Sequence, residues 1–384
     1  MAAKKLYYEQ VMQREFQGIV TECRPGKKGY EIALDQTLFY PEGGGQPYDI
    51  GRLGEARVLE VHERDGEVWH NTDKPLEVGN TVRGEIDWER RFDLMQQHSG
   101  EHMVSGVIHR RYGYDNVGFH MGADVVTIDF NGIFTAEELD EIEREVNEIL
   151  WLDRKTQVLY PTEEELREID YRSKKELKGW VRLVEFPGAD LCACCGLHVE
   201  STGQIGMVKL LSVQKFREGV RIEMISGKRV LDYLNVIAGQ NHQVSVQLSA
   251  KPKETAKAVQ RLAEENFRLR GRVMKMEEQA FAQKAQENER AGDVLLFEED
   301  LEADSVRKLA VAVMESCQGR CAVFSGDDKN GYKYALGEKN GDLREFVKML
   351  NQNLGGRGGG KPFFAQGSVK ASREAIEKFF RQEN

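Results

Sequence analysis

The chain has 384 residues, 31% of them charged and 40% hydrophobic, with a formal net charge of −10. That length supports two or three domains with sizeable cores. No apolar run is long enough to span a membrane, and the opening Met1-Ala-Ala-Lys-Lys-Leu-Tyr-Tyr-Glu9 lacks the apolar core of a signal peptide.

The first 85 residues read as β-rich. Short runs such as Glu15–Cys23 and Gly29–Leu34 are bounded by Gly, Pro and charged turns, and three consecutive glycines stand in Glu42-Gly-Gly-Gly-Gln46. A small β-barrel or sandwich is expected there. A helix is expected from the N-cap Asp87 toward Arg111, and an acidic amphipathic helix over Thr135–Leu150. Strands at Val125–Phe130, Val181–Phe186, Ile205–Phe216 and Val220–Ser226 make residues 86–236 an α+β domain. From about 237 to 291 apolar residues sit among dense Lys, Glu, Arg and Gln, the texture of a long helix or helical hairpin. Either a rigid spacer or a dimerising coiled coil fits it. Residues 292–384 read as a C-terminal α/β domain, strand-helix-strand-strand-helix-loop-helix, whose loop is the glycine-rich Gly355-Gly-Arg-Gly-Gly-Gly-Lys361.

Two motifs carry chemistry. His98-Ser-Gly-Glu-His102 places two imidazoles four apart on one helix face. Cys194-Cys-Gly-Leu-His198 offers a thiolate and a third imidazole from a turn. Three nitrogens and one sulfur suit tetrahedral zinc. Cys192 and Cys195 are alternative sulfur ligands, and the clustering of three of six cysteines points to metal binding in a reducing cytoplasm. Four protein ligands fit a closed structural ion, whereas an open position is needed to activate water or polarise a carbonyl. The glycines, Arg357 and Lys361 of the C-terminal loop suit a phosphate backbone, although the Walker pattern is absent. Basic clusters at Arg90-Arg91, His109-Arg110-Arg111 and Arg172 to Lys178 read singly as solvated faces, and the acidic total argues against nonspecific nucleic-acid binding.

Four segments in order resemble the editing domain of alanyl-tRNA synthetases and the related AlaX trans-editing proteins. They are Leu38–Pro47, Gln97–Met103, Cys194–Val199 and Gly355–Gln366. No aminoacylation domain precedes them, so the resemblance carries no expectation of synthetase activity. It implies hydrolysis of serine, and of glycine, from mischarged tRNA(Ala), with zinc held by His98, His102, Cys194 and His198. It further implies that Gly43, Gly44 and Gly45 let backbone approach the terminal adenosine or ester, that Gln46 positions water or substrate, and that His120, in Gly118–Gly122, reads the side chain. Glu101 beside the ligands can accept a proton, though an exposed helical Glu is the commoner case. Arg357 and Lys361 would hold the tRNA body, and a homodimer would form through the helical linker or the C-terminal domain. The rival readings are a zinc hydrolase of another small ester or peptide, a noncatalytic RNA-binding protein with structural zinc, and an editor of another tRNA.

Overall fold

The computed structural model describes residues 3–173 and 181–382. These form two compact units, Met1–His242 and Gln243–Asn384. Among the described residues, no helix is long and apolar enough to cross a membrane.

The first unit opens with a closed six-stranded barrel. Its strands are β1 (Glu15–Pro25), β2 (Tyr30–Leu34), β3 (Gly51–Leu53), β4 (Ala56–Arg64), β5 (Glu67–Thr72) and β6 (Thr81–Ile86), joined in the order β1-β2-β5-β4-β3-β6. Alternation along β1 turns Phe16, Gly18 and Val20 inward and Gln17 and Ile19 outward, the period-two pattern of a half-buried strand. Closure removes the exposed edges that short strands of this kind would otherwise present. Phe16 and Val20 meet Ile32, Leu34, Leu53 and Val61 in the barrel core.

Helix α1 (Trp88–Tyr112) follows directly, capped by the Asp87 side chain, which accepts a hydrogen bond from Arg90 N at 3.1 Å. Every residue from Leu94 to Ile108 is buried. The helix is therefore the spine of the unit and not a surface element, and its polar side chains are all engaged. Gln97 donates to Ser226 O and accepts from Ser226 N, at 2.9 and 2.8 Å. Arg91, expected on a solvated basic face, is fully buried and fixed to Asp49 and to Leu38 O. Asp49 in turn accepts from Tyr40 N at 2.6 Å, so this ion pair anchors both ends of the Leu38–Asp49 segment to the helix.

Around α1 lie two further sheets. Strands β7 (Asn116–Met121) and β8 (Val126–Phe130) precede α2 (Ala136–Leu150), which opens with a Thr135/Glu138 capping box. Strands β9 (Gln157–Leu159), β10 (Leu183–Phe186) and β11 (Asp190–Ala193) make a three-stranded sheet in that order. With β12 (Val208–Phe216) and β13 (Gly219–Ser226), the order β12-β13-β8-β7 completes a four-stranded antiparallel sheet. Met103, Val104 and Val107 of α1 share one core with Ile128, Ile222 and Ile142. Helix α3 (Lys228–Gln247) begins earlier than the helix expected from about 237, and the division between units falls within it.

The second unit contains α4 (Thr255–Glu287), β14 (Val294–Glu298), α5 (Ala303–Ser316), β15 (Cys321–Asp327), β16 (Gly331–Gly337), α6 (Arg344–Asn353), β17 (Arg357–Lys361), β18 (Phe364–Val369) and α7 (Arg373–Gln382). The sheet order is β14-β15-β16-β18-β17, with only the β14–β15 pair parallel. The expected glycine-rich loop is thus an exposed edge strand, β17, paired to β18. Glycine has low strand propensity, which is why its sequence reads as loop; the pairing with β18 overrides it.

Candidate metal centre

His98 and His102 project from the middle of α1 toward the turn that follows β11, where Cys194 and His198 complete a four-residue cluster. Their candidate ligand atoms all lie within 4.8 Å of one another. Cys194 Sγ stands 3.5 Å from His98 Nε2 and 3.4 Å from His198 Nε2. The three imidazole rings are 4.5 to 5.3 Å apart between centroids.

The far nitrogen of each ring has its own partner. His98 Nδ1 meets Gln46 Oε1 at 3.0 Å, His102 Nδ1 meets Asp190 Oδ2 at 2.8 Å, and His198 Nδ1 meets Ser99 Oγ at 3.2 Å. Gln46 Oε1 also accepts from Leu197 N at 2.9 Å, so the oxygen and not the amide nitrogen faces the ring. Gln46 Oε1 and the Asp190 carboxylate can only accept, so they take an Nδ1 proton and turn Nε2 toward an ion, the arrangement that metal-binding histidines use.

The electrostatics agree. Burial alone would raise the Cys194 thiol, yet the surrounding His98, His198 and His102 hold it well below its ordinary value. Burial raises Cys192, and Cys195 is raised too, by partial desolvation and by the Cys194 charge beside it. Burial brings His198 down to about 3, so that ring is neutral. Burial opposes a charge on Asp190 too, but hydrogen bonds from His102 and Arg172 keep its carboxyl at about 2. Burial opposes a charge on His102 as well, yet the Cys194 thiolate and the bond to Asp190 hold that ring up at about 9. An ionised sulfur among three imidazole rings suits a cation, which would take the place of the His102 proton, and Cys194, not Cys192 or Cys195, supplies the sulfur.

The turn carrying Cys194 is clamped from outside. Arg182 donates to Cys194 O and Gly196 O at 2.8 and 2.9 Å, and the Tyr8 and Tyr40 hydroxyls donate to Cys195 O at 3.0 and 3.2 Å. Gly196 passes so close to His98 that an added Cβ would lie 2.1 Å from Cε1. Opposite, Gly43 and Gln46 close a two-residue hairpin turn with reciprocal bonds of 3.1 and 2.9 Å. Gly44 and Gly45 have φ of 59° and 84°, the left-handed pair that a type I′ turn demands.

Between these two turns lies a cavity of about 430 Å³ reaching His98, His102 and Cys194; Gly44, Gly45, Phe119, Ser173, Cys192 and Cys195 line it. Phe119 stacks on His98 at 5.4 Å and 20°. His120, expected to read the side chain, is exposed on β7 and does not line this cavity. Adjacent strand residues face opposite sides, so Phe119 faces this cavity and His120 faces away from it. Glu101 also departs from the exposed helical residue expected. It is fully buried, Oε1 accepts from Ser105 and Asn116, and Oε2 lies 4.0 Å from His102 Nε2. Sequence reasoning missed Asp190 and Ser99, and singled out His120 where Phe119 of the same segment lines the cavity. Asp190, just before the cysteine cluster, was the one detectable signal.

In the second unit, Arg357 and Lys361 are the ends of exposed β17. A Cβ on Gly358 would strike the Tyr334 hydroxyl and one on Gly360 would strike Phe364 O, but one on Gly359 would meet nothing. Gly359 borders a cavity of about 400 Å³ shared with Lys348, Asn351 and Lys361.

A helix-borne histidine pair, completed by Cys and His from a clamped turn, belongs here to a chain assembled from tRNA-synthetase modules. Residues 181–223 match the threonyl and alanyl tRNA synthetase second additional domain, residues 3–90 the class II (A) tRNA synthetases, and residues 291–383 the DHHA1 domain. Over nearly its whole length the chain is similar to AlaX-type alanyl-tRNA editing proteins. It is 29% identical to alanyl-tRNA editing protein AlaX-L of Pyrococcus horikoshii, over 97% of this chain and 96% of that one. Identity to the alanine–tRNA ligase of Natronomonas pharaonis is 33% over 97% of this chain, which spans only 43% of the ligase. Alanyl-tRNA editing protein Aarsd1 of Bos taurus is 32% identical over 65% of this chain and 60% of its own length.

Proposed function

We propose that this chain hydrolyses the ester of tRNA(Ala) mischarged with serine, and with glycine, sparing Ala-tRNA(Ala). The observation that carries the reading is the cavity that joins the metal-ligand cluster to the glycine turn, in a chain similar along nearly its whole length to an alanyl-tRNA editing protein. A synthetic pocket discriminates weakly between near-isosteres that differ by a hydroxyl, so a second hydrolytic site is needed.

His98, His102, Cys194 and His198 are the residues that would hold zinc. Bound zinc supplies Lewis acidity for orienting the aminoacyl end or activating water. The chain's own residues do the rest. Gly43, Gly44 and Gly45 give the terminal adenosine and ester a backbone surface without side chains. Gln46 acts through His98, since its oxygen is already shared between that ring and Leu197 N. Phe119 forms an apolar wall against the acyl group, and Glu101 fixes an acceptor beside His102. Hydrolysis of Ser-tRNA(Ala) by the pure protein, with alanine spared, tests the reading. Four protein ligands favour one rival, a structural ion in a noncatalytic RNA-binding protein; bound zinc without turnover of either ester would select it.

The tRNA body is assigned to the second unit, to Arg357 and Lys361 flanking the bare backbone of Gly359, where the fold itself leaves room for a side chain. A second copy of the chain is assigned to α4. Val259, Leu262, Asn266, Leu269, Val273 and Met276 follow a heptad seam and are exposed. The flanking Glu265 and Arg272 would meet Arg270 and Glu277 of a parallel partner, and one polar Asn in such a seam fixes register. Sedimentation should show a dimer that Leu269→Glu with Val273→Glu converts to monomer; a monomeric parent chain would refute it. Six free cysteines, one of them a candidate thiolate ligand, support a reducing, cytoplasmic setting.

A further inference from the structure

Arg172 opens the basic run that the sequence presents as a solvated face, and Lys174, Lys175 and Lys178 of that run lie outside the described residues. Arg172 itself is not solvated. Its side chain is 10% exposed and grips Asp190 with two hydrogen bonds, Nε to Oδ1 at 2.7 Å and Nη2 to Oδ2 at 2.8 Å. The same Oδ2 accepts from His102 Nδ1 at 2.8 Å. The Arg172 backbone is pinned as well, donating to Leu191 O at 2.8 Å and accepting from Ala193 N at 2.9 Å. Arg172 is thus laced to β11 on both sides of Cys192, and the next residue, Ser173, lines the metal-side cavity.

We propose that Arg172 is a positioning residue of the metal centre: by locking both oxygens of Asp190 it fixes the ring of His102, and so sets how tightly the cluster holds its ion. A carboxylate held by a single bond can rotate; one held by a planar fork cannot. Asp190 therefore offers His102 an acceptor in one direction only, and the Nε2 lone pair keeps its aim at the cluster. The inference rests on the metal reading above.

The test is chelator competition for zinc on the full chain, comparing the parent with Arg172→Met, Asp190→Asn, the double variant and Arg172→Lys. Removing an outer partner of a ligating histidine typically costs roughly ten- to a hundredfold in metal affinity. Arg172→Met should show a loss in that range, and Arg172→Lys should recover part of it. The double variant should bind zinc no more weakly than Asp190→Asn alone, because Arg172 acts through Asp190. It also leaves no ionised carboxylate buried without a partner, so it carries the test if Arg172→Met fails to fold. Parental affinity in Arg172→Met, or losses that add in the double variant, would overturn the inference. A parent chain that takes up no zinc would overturn the metal reading, and this inference with it.

Discussion

Gln46 and His98, 52 positions apart, are joined by a 3.0 Å hydrogen bond that carries the glycine turn onto a ring of the candidate metal cluster. The amide is buried, and its oxygen is shared with Leu197 N on the turn opposite. One side chain thus ties together the three segments that bear the site.

Replacing Gln46 tests that tie. Gln46→Leu keeps the bulk but removes the acceptor that holds the proton on His98 Nδ1. Zinc affinity should fall roughly ten- to a hundredfold, with helix content unchanged by circular dichroism. Unaltered affinity would mean that His98 needs no orienting partner.

The sulfur assignment separates two adjacent residues. Cys194→Ala should lose both zinc and deacylation, whereas Cys195→Ala, whose thiol is exposed, should keep both. Metal content by elemental analysis decides it, and the reverse pattern would move the ligand by one position.

The opposite facing of Phe119 and His120 on β7 makes a paired expectation. His120→Ala should leave deacylation within about twofold of the parent, in keeping with the small effects of surface substitutions. Phe119→Ala should widen the range of acyl groups hydrolysed, because the wall stacked on His98 is removed. Rates on tRNA(Ala) charged with glycine, serine and bulkier residues would show it. Unchanged selectivity in Phe119→Ala would take that ring out of the specificity argument.

The barrel should be acid-sensitive. His70 is fully buried, between Thr37 Oγ1 at 2.8 Å and Ile32 O at 2.9 Å. Burial lowers it from its ordinary 6.5 to about 4, against the backbone bond to Ile32. Below 6.5 the unfolded chain takes up a proton that the native chain refuses, so stability is lost as pH falls from 6.5 toward 4 and is flat above. At about 1.4 kcal/mol per unit the loss is roughly 3 kcal/mol. Urea melts at pH 7.5 and 4.5 should show it, and His70→Gln should flatten the difference.

The four residues of the candidate cluster were legible because their spacing is local: four apart on a helix, four apart on a turn. Asp190 and Ser99 were not, because they reach the rings through the tertiary fold, and Gln46, expected to position water or substrate, shows its bond to His98 only there. Arg91 and Arg172 read as solvated charge for the same reason, each finding its carboxylate only after folding. His120 shows another limit. Gly118-Phe-His-Met-Gly122 has a period of two, but which face is buried depends on the sheet that covers it. The edge strand β17 was hidden by glycines that carry no strand preference, and only its pairing with β18 reveals it.

Deacylation of Ser-tRNA(Ala) beside Ala-tRNA(Ala), with protein of known zinc content, tests the central claim most directly. The account predicts rapid release of serine with alanine retained, and loss of that activity when zinc is removed. Stable Ser-tRNA(Ala) in the presence of fully metal-loaded protein would contradict it.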